Sequence, residues 1–204
     1  MRARATIFAG ASLLCACGGG LPEMTPEETQ VVQELGEPAA GELARTLIQH
    51  LSLAMAEGGP SQAVDFCSSE ALDLTEEVQA GLTEGFGLKR TSLNYRNPAN
   101  MPDEFEDVAL RYFQHAIGEG DQAPPSYIQR VSREEIRYYK PLFLGEPCLQ
   151  CHGDPVGFDP GVREILAERY PADLATGYEL GDFRGLIRVS VPAQLVEKRL
   201  RAEG

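Results

Sequence analysis

Apolar residues recur at helical spacing through the first part of the chain, and this pattern predicts three successive helices. The first begins at residues 25–28, where Thr-Pro-Glu-Glu has the form of a capping box with proline at the first helical position. It is expected to break near Gly36. The second is predicted over residues 38–57 and is ended by two glycines. The third starts at Pro60 and is expected to end by Gly85.

The rest of the chain predicts strands mixed with helices. The strands are expected at residues 86–93, 127–131, 136–143 and 185–191. The helices are expected at residues 104–117 and 161–169, with an amphipathic helix after the last strand. Because long loops and not regular helical crossovers join the strands, the sequence predicts an α+β domain with a mostly antiparallel sheet.

The N-terminus has the layout of a secretory signal peptide, with two arginines before an apolar run at residues 5–14. That run is too short to cross a bilayer as a helix. The four residues that end at Cys17 resemble a bacterial lipobox, although Cys15 is an unusual occupant. We therefore expect residues 1–16 to be removed and Cys17 to carry lipid, with a plain cleaved signal as the alternative.

Three glycines follow Cys17, and residues 17–24 are predicted to form a flexible tether. The folded domain is then expected over residues 25–204, anchored by acyl chains on the periplasmic side of a bacterial membrane. The membrane is thus an expected partner.

Composition excludes several classes of protein. The chain has 204 residues, 43% of them hydrophobic and 24% charged, which is typical of one globular domain with a core. Its 18 Lys and Arg face 31 Asp and Glu, so the formal charge is -13. This charge argues against a nucleic-acid partner. It favours a basic redox or signalling protein as the partner.

The chain has five cysteines, and they are expected to have different roles. Cys15 leaves with the signal, Cys17 takes lipid, and Cys148 and Cys151 share one short motif. Cys67 is left without a role. An unpaired thiol in an oxidising compartment is a liability unless something occupies it.

The short motif is Cys-Leu-Gln-Cys-His at residues 148–152, the attachment pattern of c-type haem. One helical turn presents both thiols to the porphyrin vinyl groups, and the adjacent imidazole of His152 reaches the iron. A thioredoxin-like site is expected at the start of a strand–helix unit, whereas this motif follows Pro147 late in the chain. A zinc site lacks a second ligand pair. A Cys148–Cys151 disulfide beside a chance histidine remains the alternative.

A second iron ligand has several candidates. On a helix, Cys67 shares a stripe with Val64, Ala71 and Leu74, so it is predicted to face the interior. A small buried thiol without a ligand role is the alternative there. The other candidates are Met55, Met101, His50 and His115.

Six short motifs, taken in their order along the chain, resemble those of a known protein family. They lie at residues 67–71 (Cys-Ser-Ser-Glu-Ala), 90–92 (Arg-Thr-Ser), 96–100 (Arg-Asn-Pro-Ala-Asn), 148–153, 170–178 and 181–185. Together they resemble a family of exported bacterial c-type haem domains with a PAS-like fold, formerly filed as a domain of unknown function. Its members occur alone or as sensor parts of signalling proteins, and this chain is similar to a single-haem lipoprotein member.

The resemblance implies one covalent haem with His152 and, by motif position, Cys67 as axial ligands. A thiolate favours ferric iron, so the reduction potential is expected to lie below that of a His/Met cytochrome. Arg90 and Arg96 are expected to contact the haem propionates, because a guanidinium matches a carboxylate. The alternative is that Arg96 and Asn97 fix the loop before Pro98.

Two haem functions stay open from the sequence. In an electron carrier, Cys67 stays bound to the haem iron. In a redox or gas sensor that acts through a separate partner, Cys67 leaves the iron. A non-haem lipoprotein with the Cys148–Cys151 disulfide is the third possibility. The sequence contains no Ser/His/Asp set, phosphate loop or paired-carboxylate motif, so no enzymatic activity is expected.

Overall fold

The computed structural model describes residues 20–120 and 122–203. The predicted signal, which includes Cys15, and the first three residues of the predicted tether, 17–19, which include Cys17, lie outside these residues. The helices are α1 (Pro26–Ser69), α2 (Ala71–Ala80), α3 (Glu104–Gly118), α4 (Leu149–His152), α5 (Pro160–Arg169) and α6 (Ala193–Glu203). The strands are β1 (Gly87–Thr91), β2 (Tyr127–Arg130), β3 (Glu135–Phe143) and β4 (Phe183–Pro192).

The four strands form one sheet in the order β1-β4-β3-β2, and every neighbouring pair is antiparallel. Alternate residues point to opposite faces of such a sheet. Tyr138 and Val189 therefore pack against Leu43 of α1, whereas Tyr139 and Leu186 belong to the cluster of α3 on the other face. The expected α+β class with an antiparallel sheet is confirmed.

The capping box at the start of α1 is also confirmed. The Glu28 backbone N–H donates to Thr25 Oγ1 at 3.1 Å, and the Thr25 N–H donates to Glu28 Oε2 at 2.9 Å. These bonds satisfy two amide groups that a helix start otherwise leaves without partners.

The predicted helix break near Gly36 is wrong. Gly36 lies inside α1, is buried, and sits against the ring of Tyr138. A glycine at this position lets the helix approach the sheet closely, and that packing outweighs the low helix propensity of glycine. Helix α1 consequently crosses the sheet without interruption at this point.

The break predicted at the next two glycines is confirmed as a kink. Gly59 has φ 70° and ψ -160°, a backbone conformation that residues with a Cβ rarely adopt. The chain then resumes a helical course that carries Cys67, and ends at Ser69. The third predicted helix is thus divided between the end of α1 and α2.

The remaining predicted elements all exist, with ends shifted by a few residues. Strand β4 begins at Phe183, two residues before the predicted start. No helix in the described part of the chain is long and apolar enough to cross a membrane.

Candidate functional site

A cavity of about 230 Å³ lies between α1, the end of β3, α4 and β4. One wall is an apolar stripe of α1 formed by Ala44, Leu47, Ile48, Leu51 and Met55. The kink at Gly59 separates this stripe from Val64 and Cys67, which line the same cavity. The two halves of α1 therefore both contribute to the site.

All the predicted site residues within the described ranges line this cavity. They are Cys67, Arg90, Arg96, Cys148, Cys151 and His152. They come from α1, β1, the loop after β1 and the motif at residues 148–152. Most of the remaining wall is apolar, so the cavity is suited to a largely apolar ligand that meets thiols, an imidazole and guanidinium groups.

The motif begins in a 3₁₀ turn, Glu146–Cys148, and continues into the single helical turn of α4. Pro147 at the start of that turn needs no hydrogen-bond partner for its nitrogen. Because residues three apart share a helix face, Cys148 and Cys151 both reach the cavity. His152 closes the turn and lines the cavity as well.

The imidazole of His152 is held in one orientation. Its Nδ1 lies 2.7 Å from the backbone oxygen of Ala175, a carbonyl that can only accept, so Nδ1 carries the proton and Nε2 the free electron pair. Its own backbone oxygen accepts from Tyr178 N at 3.0 Å. Burial, aided by the charges of Arg96 and Arg184, lowers the pKa of His152 to about 3. The ring is therefore neutral near pH 7, the form that binds metals.

Arg96 ties the motif to the loop after α5. Its Nε donates to Asp173 Oδ2 at 2.9 Å, and its Nη2 donates to the backbone oxygens of Cys151 at 2.5 Å and Ala175 at 3.3 Å. Arg96 and His152 thus share the Ala175 carbonyl. These contacts also hold the loop before Pro98 in place, which is the alternative role predicted for Arg96.

Asn97 fixes the turn at Pro98. Its side-chain oxygen accepts from the Ala99 N–H at 2.9 Å and caps the 3₁₀ turn Pro98–Asn100. This part of the sequence-based alternative is confirmed.

Arg90 has few partners of its own. Its Nη2 lies 3.4 Å from the Ala71 oxygen, and its buried Nε has no hydrogen-bond partner. Burial lowers the pKa of this guanidinium, an effect that the nearby Cys67 and Tyr170 oppose. Such a group is costly to bury unless an anion or an acceptor meets it.

Arg184 also lines the cavity, although no contact with a ligand was predicted for it. Its Nη1 donates to Ser92 Oγ at 2.6 Å and to Asn94 O at 3.1 Å, and its guanidinium lies 5.5 Å from the ring centre of Tyr178. The signal was present in the motif at residues 181–185. The predicted start of the last strand, residue 185, leaves Arg184 outside the sheet, whereas β4 includes it.

The three described cysteines are free thiols. Burial raises the pKa of Cys151 to about 11, against the lowering effect of Arg96. Desolvation by the surrounding cavity wall also raises the pKa of Cys67, and the charges of Arg90 and Arg96 oppose this rise. Both groups are therefore protonated near pH 7 in the protein alone.

The predicted interior position of Cys67 needs correction. Val64, Ala71 and Leu74 are buried, but Cys67 is exposed and borders the cavity. The helical stripe places it on the correct side of the helix, while the cavity keeps it out of the packed core. A thiol in a cavity wall can meet a ligand, whereas a core thiol cannot.

The other candidate ligands differ in position. Met55 lines the cavity, whereas His50, Met101 and His115 are exposed. His50 stacks on Phe66 with ring centres 5.9 Å apart.

Comparison with known proteins gives two matches of interest. A family model described as Tll0287-like, Tll0287, matches residues 24–192. Among solved structures, the chain is similar to the crystal structure of the cyanobacterial haem protein Tll0287, with 26% sequence identity and a TM-score of 0.57. The match covers 83% of this chain and 97% of that one. No match was found among curated proteins.

Proposed function

This chain belongs to the Tll0287-like family, and from that membership we propose that it is a haem protein that transfers electrons outside the cytoplasm. We further propose that it binds a single haem covalently, as a c-type cytochrome does, and that it is a lipoprotein on the periplasmic side of a bacterial membrane. The proposal includes no enzymatic activity.

The observation that carries the proposal is the convergence of four groups on one cavity. Cys148, Cys151 and His152 reach it from one helical turn, and Cys67 reaches it from α1. The rest of the wall is largely apolar, with arginines at one side. A porphyrin is apolar over most of its surface and carries two carboxylates, so the residues present fit a haem.

Each group has a role in this proposal. Cys148 and Cys151 form the thioether links, and His152 offers Nε2 to the iron because Nδ1 is held by Ala175. Cys67 would be the second residue to bind the iron, as a thiolate whose proton passes to water. The bound haem supplies iron that changes between the ferric and ferrous states.

The protein around the site restricts the imidazole. Arg96 joins Cys151 to Asp173 and Ala175, so the attachment turn and the carbonyl that orients His152 move together. A ligand held in this way needs little reorganisation when the iron changes charge, which is an advantage for electron transfer.

The first experiment measures absorbance spectra of the full chain exported by a host with cytochrome c maturation, together with haem staining after denaturing electrophoresis. The wild-type protein is expected to show a Soret band and covalent staining. Cys148→Ala with Cys151→Ala is expected to abolish the staining. Staining that persists in this variant contradicts covalent attachment at these residues.

The matched control is Cys67→Ala, which removes a cavity thiol outside the motif. It is expected to keep the covalent staining and to change the low-spin ferric spectrum, because it removes only the second ligand. An unaltered spectrum would transfer that role to Met55, which lines the same cavity. A wild-type protein without any Soret band supports instead a non-haem lipoprotein with a Cys148–Cys151 disulfide.

Carbon monoxide separates the carrier from the alternative, a redox or gas sensor that acts through a separate partner. A carrier keeps both ligands on ferrous iron, so its reduced spectrum is expected to stay unchanged under carbon monoxide. A shifted Soret band in the wild-type protein favours the sensor, because Cys67 must then have left the iron.

A further inference from the structure

We propose that Arg90 and Arg184, and not Arg96, bind the two propionate carboxylates of the haem, an inference that rests on the haem site proposed above. Arg184 was not among the residues expected to contact the haem. Arg96 was expected to do so and acquires a positioning role instead.

Arg96 is already committed to protein partners. It makes an ion pair with Asp173, in which both side chains are about nine-tenths buried, and it donates to two backbone carbonyls. A guanidinium has five N–H donors in a fixed plane, and these contacts use three of the five. Turning Arg96 towards a propionate would leave Asp173 buried without its cation, which is costly.

Arg90 is in the opposite situation. Its Nε is buried, lacks a partner and belongs to a side chain that lines the cavity. Its Nη2 makes one long contact, to the Ala71 oxygen at 3.4 Å. A carboxylate in the cavity would satisfy this guanidinium, and a charged acceptor is the partner that offsets its burial best.

A second, smaller cavity shows where a carboxylate can lie. It has a volume of about 150 Å³ and shares Arg90, Leu142, His152 and Arg184 with the main cavity. Its other wall residues include Thr91, Ser92 and Asn100, so it is more polar than the main cavity. Arg90 and Arg184 therefore lie at the junction between an apolar space and a polar one, as the charged edge of a porphyrin requires.

The charges around the two cavities match two propionates. Arg96 and Asp173 neutralise each other, which leaves the positive charges of Arg90 and Arg184. No Asp or Glu in the described ranges lines either cavity, although the whole chain has 31 acidic residues. A protein of formal charge -13 thus presents two uncompensated cations to the ligand, one for each carboxylate.

The test compares haemin with its dimethyl ester, which lacks the two negative charges. The full chain with Cys148→Ala and Cys151→Ala cannot form thioether links, so it is expected to bind either probe reversibly, and dissociation constants are measured by Soret titration. Arg90→Leu or Arg184→Leu is expected to weaken haemin binding by about 10- to 100-fold and to leave ester binding nearly unchanged. Arg90→Lys is expected to recover part of the loss, since a cation is restored.

Two variants serve as controls. Arg96→Leu is expected to weaken haemin and ester equally, because it disturbs the His152 turn and not the carboxylates. Arg111→Leu removes an exposed cation of α3 and is expected to change neither constant. Equal losses for haemin and ester in both Arg90→Leu and Arg184→Leu overturn the inference.

A second measurement applies if the variant without the two thiols binds no haemin. In the covalent protein, the infrared difference spectrum between the oxidised and reduced states reports the propionate carboxylates. Arg90→Leu and Arg184→Leu are expected to shift these bands, and unshifted bands contradict the inference. A wild-type protein without a Soret band contradicts the proposed function itself, so the two failures are distinguishable.

Discussion

Gly36 is the residue at which α1 comes nearest to the sheet. A Cβ added there would overlap the Cβ and ring atoms of Tyr138, which is itself fully buried. Gly36→Ala is therefore expected to lower the free energy of unfolding by about 1–3 kcal/mol, the usual cost of overpacking a core. Urea denaturation followed by circular dichroism measures this change.

The matched control is Gly41→Ala in the same helix. Its nearest atom would be Arg45 Nη1 at 3.5 Å, an ordinary contact, so alanine is expected to raise stability by up to about 1 kcal/mol through helix propensity. A Gly36→Ala protein as stable as the wild type would show that Tyr138 moves aside without cost.

Helix α3 is joined to three strands by charged groups at its first turn. Asp103 Oδ1 accepts from the Glu106 N–H at 2.8 Å, and Asp103 Oδ2 accepts from Arg137 Nη1 of β3 at 2.7 Å. Glu106 is fully buried and pairs with Lys89 of β1 at 2.6 Å and Arg188 of β4 at 3.6 Å. The helix cap and the sheet are thus one network.

This network predicts a loss of stability in acid. Burial raises the pKa of Asp103, but the Glu106 N–H bond and the Arg137 and Lys89 charges outweigh it, so the pKa lies below its ordinary value. A lowered carboxyl pKa contributes stability above the unfolded value of about 3.9, and that contribution disappears as the pH falls through the folded value. Asp103→Asn keeps a cap acceptor but removes the negative charge and the oxygen that accepts from Arg137.

Thermal unfolding at several pH values tests this expectation. The midpoint of Asp103→Asn is expected to lie below that of the wild type near neutral pH, and the difference is expected to shrink as the pH falls below the unfolded value of about 3.9. Asp107→Asn is the control, because its pair with Arg111 is exposed and contributes little. A difference that stays constant with pH contradicts an ionic contribution from Asp103.

For the molecule as a whole, local patterns in the sequence were sufficient to predict most elements. The Thr25 capping box depends on neighbouring residues alone, so it was predictable. The continuity of α1 at Gly36 was not, because it depends on Tyr138, a residue about a hundred positions away. Contacts of that kind leave no local pattern.

The candidate site also contains residues that local sequence patterns predict and residues that they do not. Cys148, Cys151 and His152 form one contiguous motif, and Cys67 followed from its helical spacing and its lack of another role. The two arginine assignments depended on partners distant in sequence. Arg96 meets Asp173 and Ala175, whereas Arg184 reaches the cavity from a strand whose start was predicted too late.

The proposed attachment to the membrane concerns the whole chain, and Cys17→Ser tests it. Acyl chains on this cysteine are expected to hold the protein at the membrane. The variant is therefore expected in the soluble extracytoplasmic fraction, while Cys15→Ser, its neighbour in the same segment, stays membrane-bound. Fractionation with a high-salt wash and immunoblotting distinguishes the two. If Cys17→Ser remains with the membrane after the wash, the acyl anchor is contradicted, and if the wild type is itself soluble, the signal is simply cleaved.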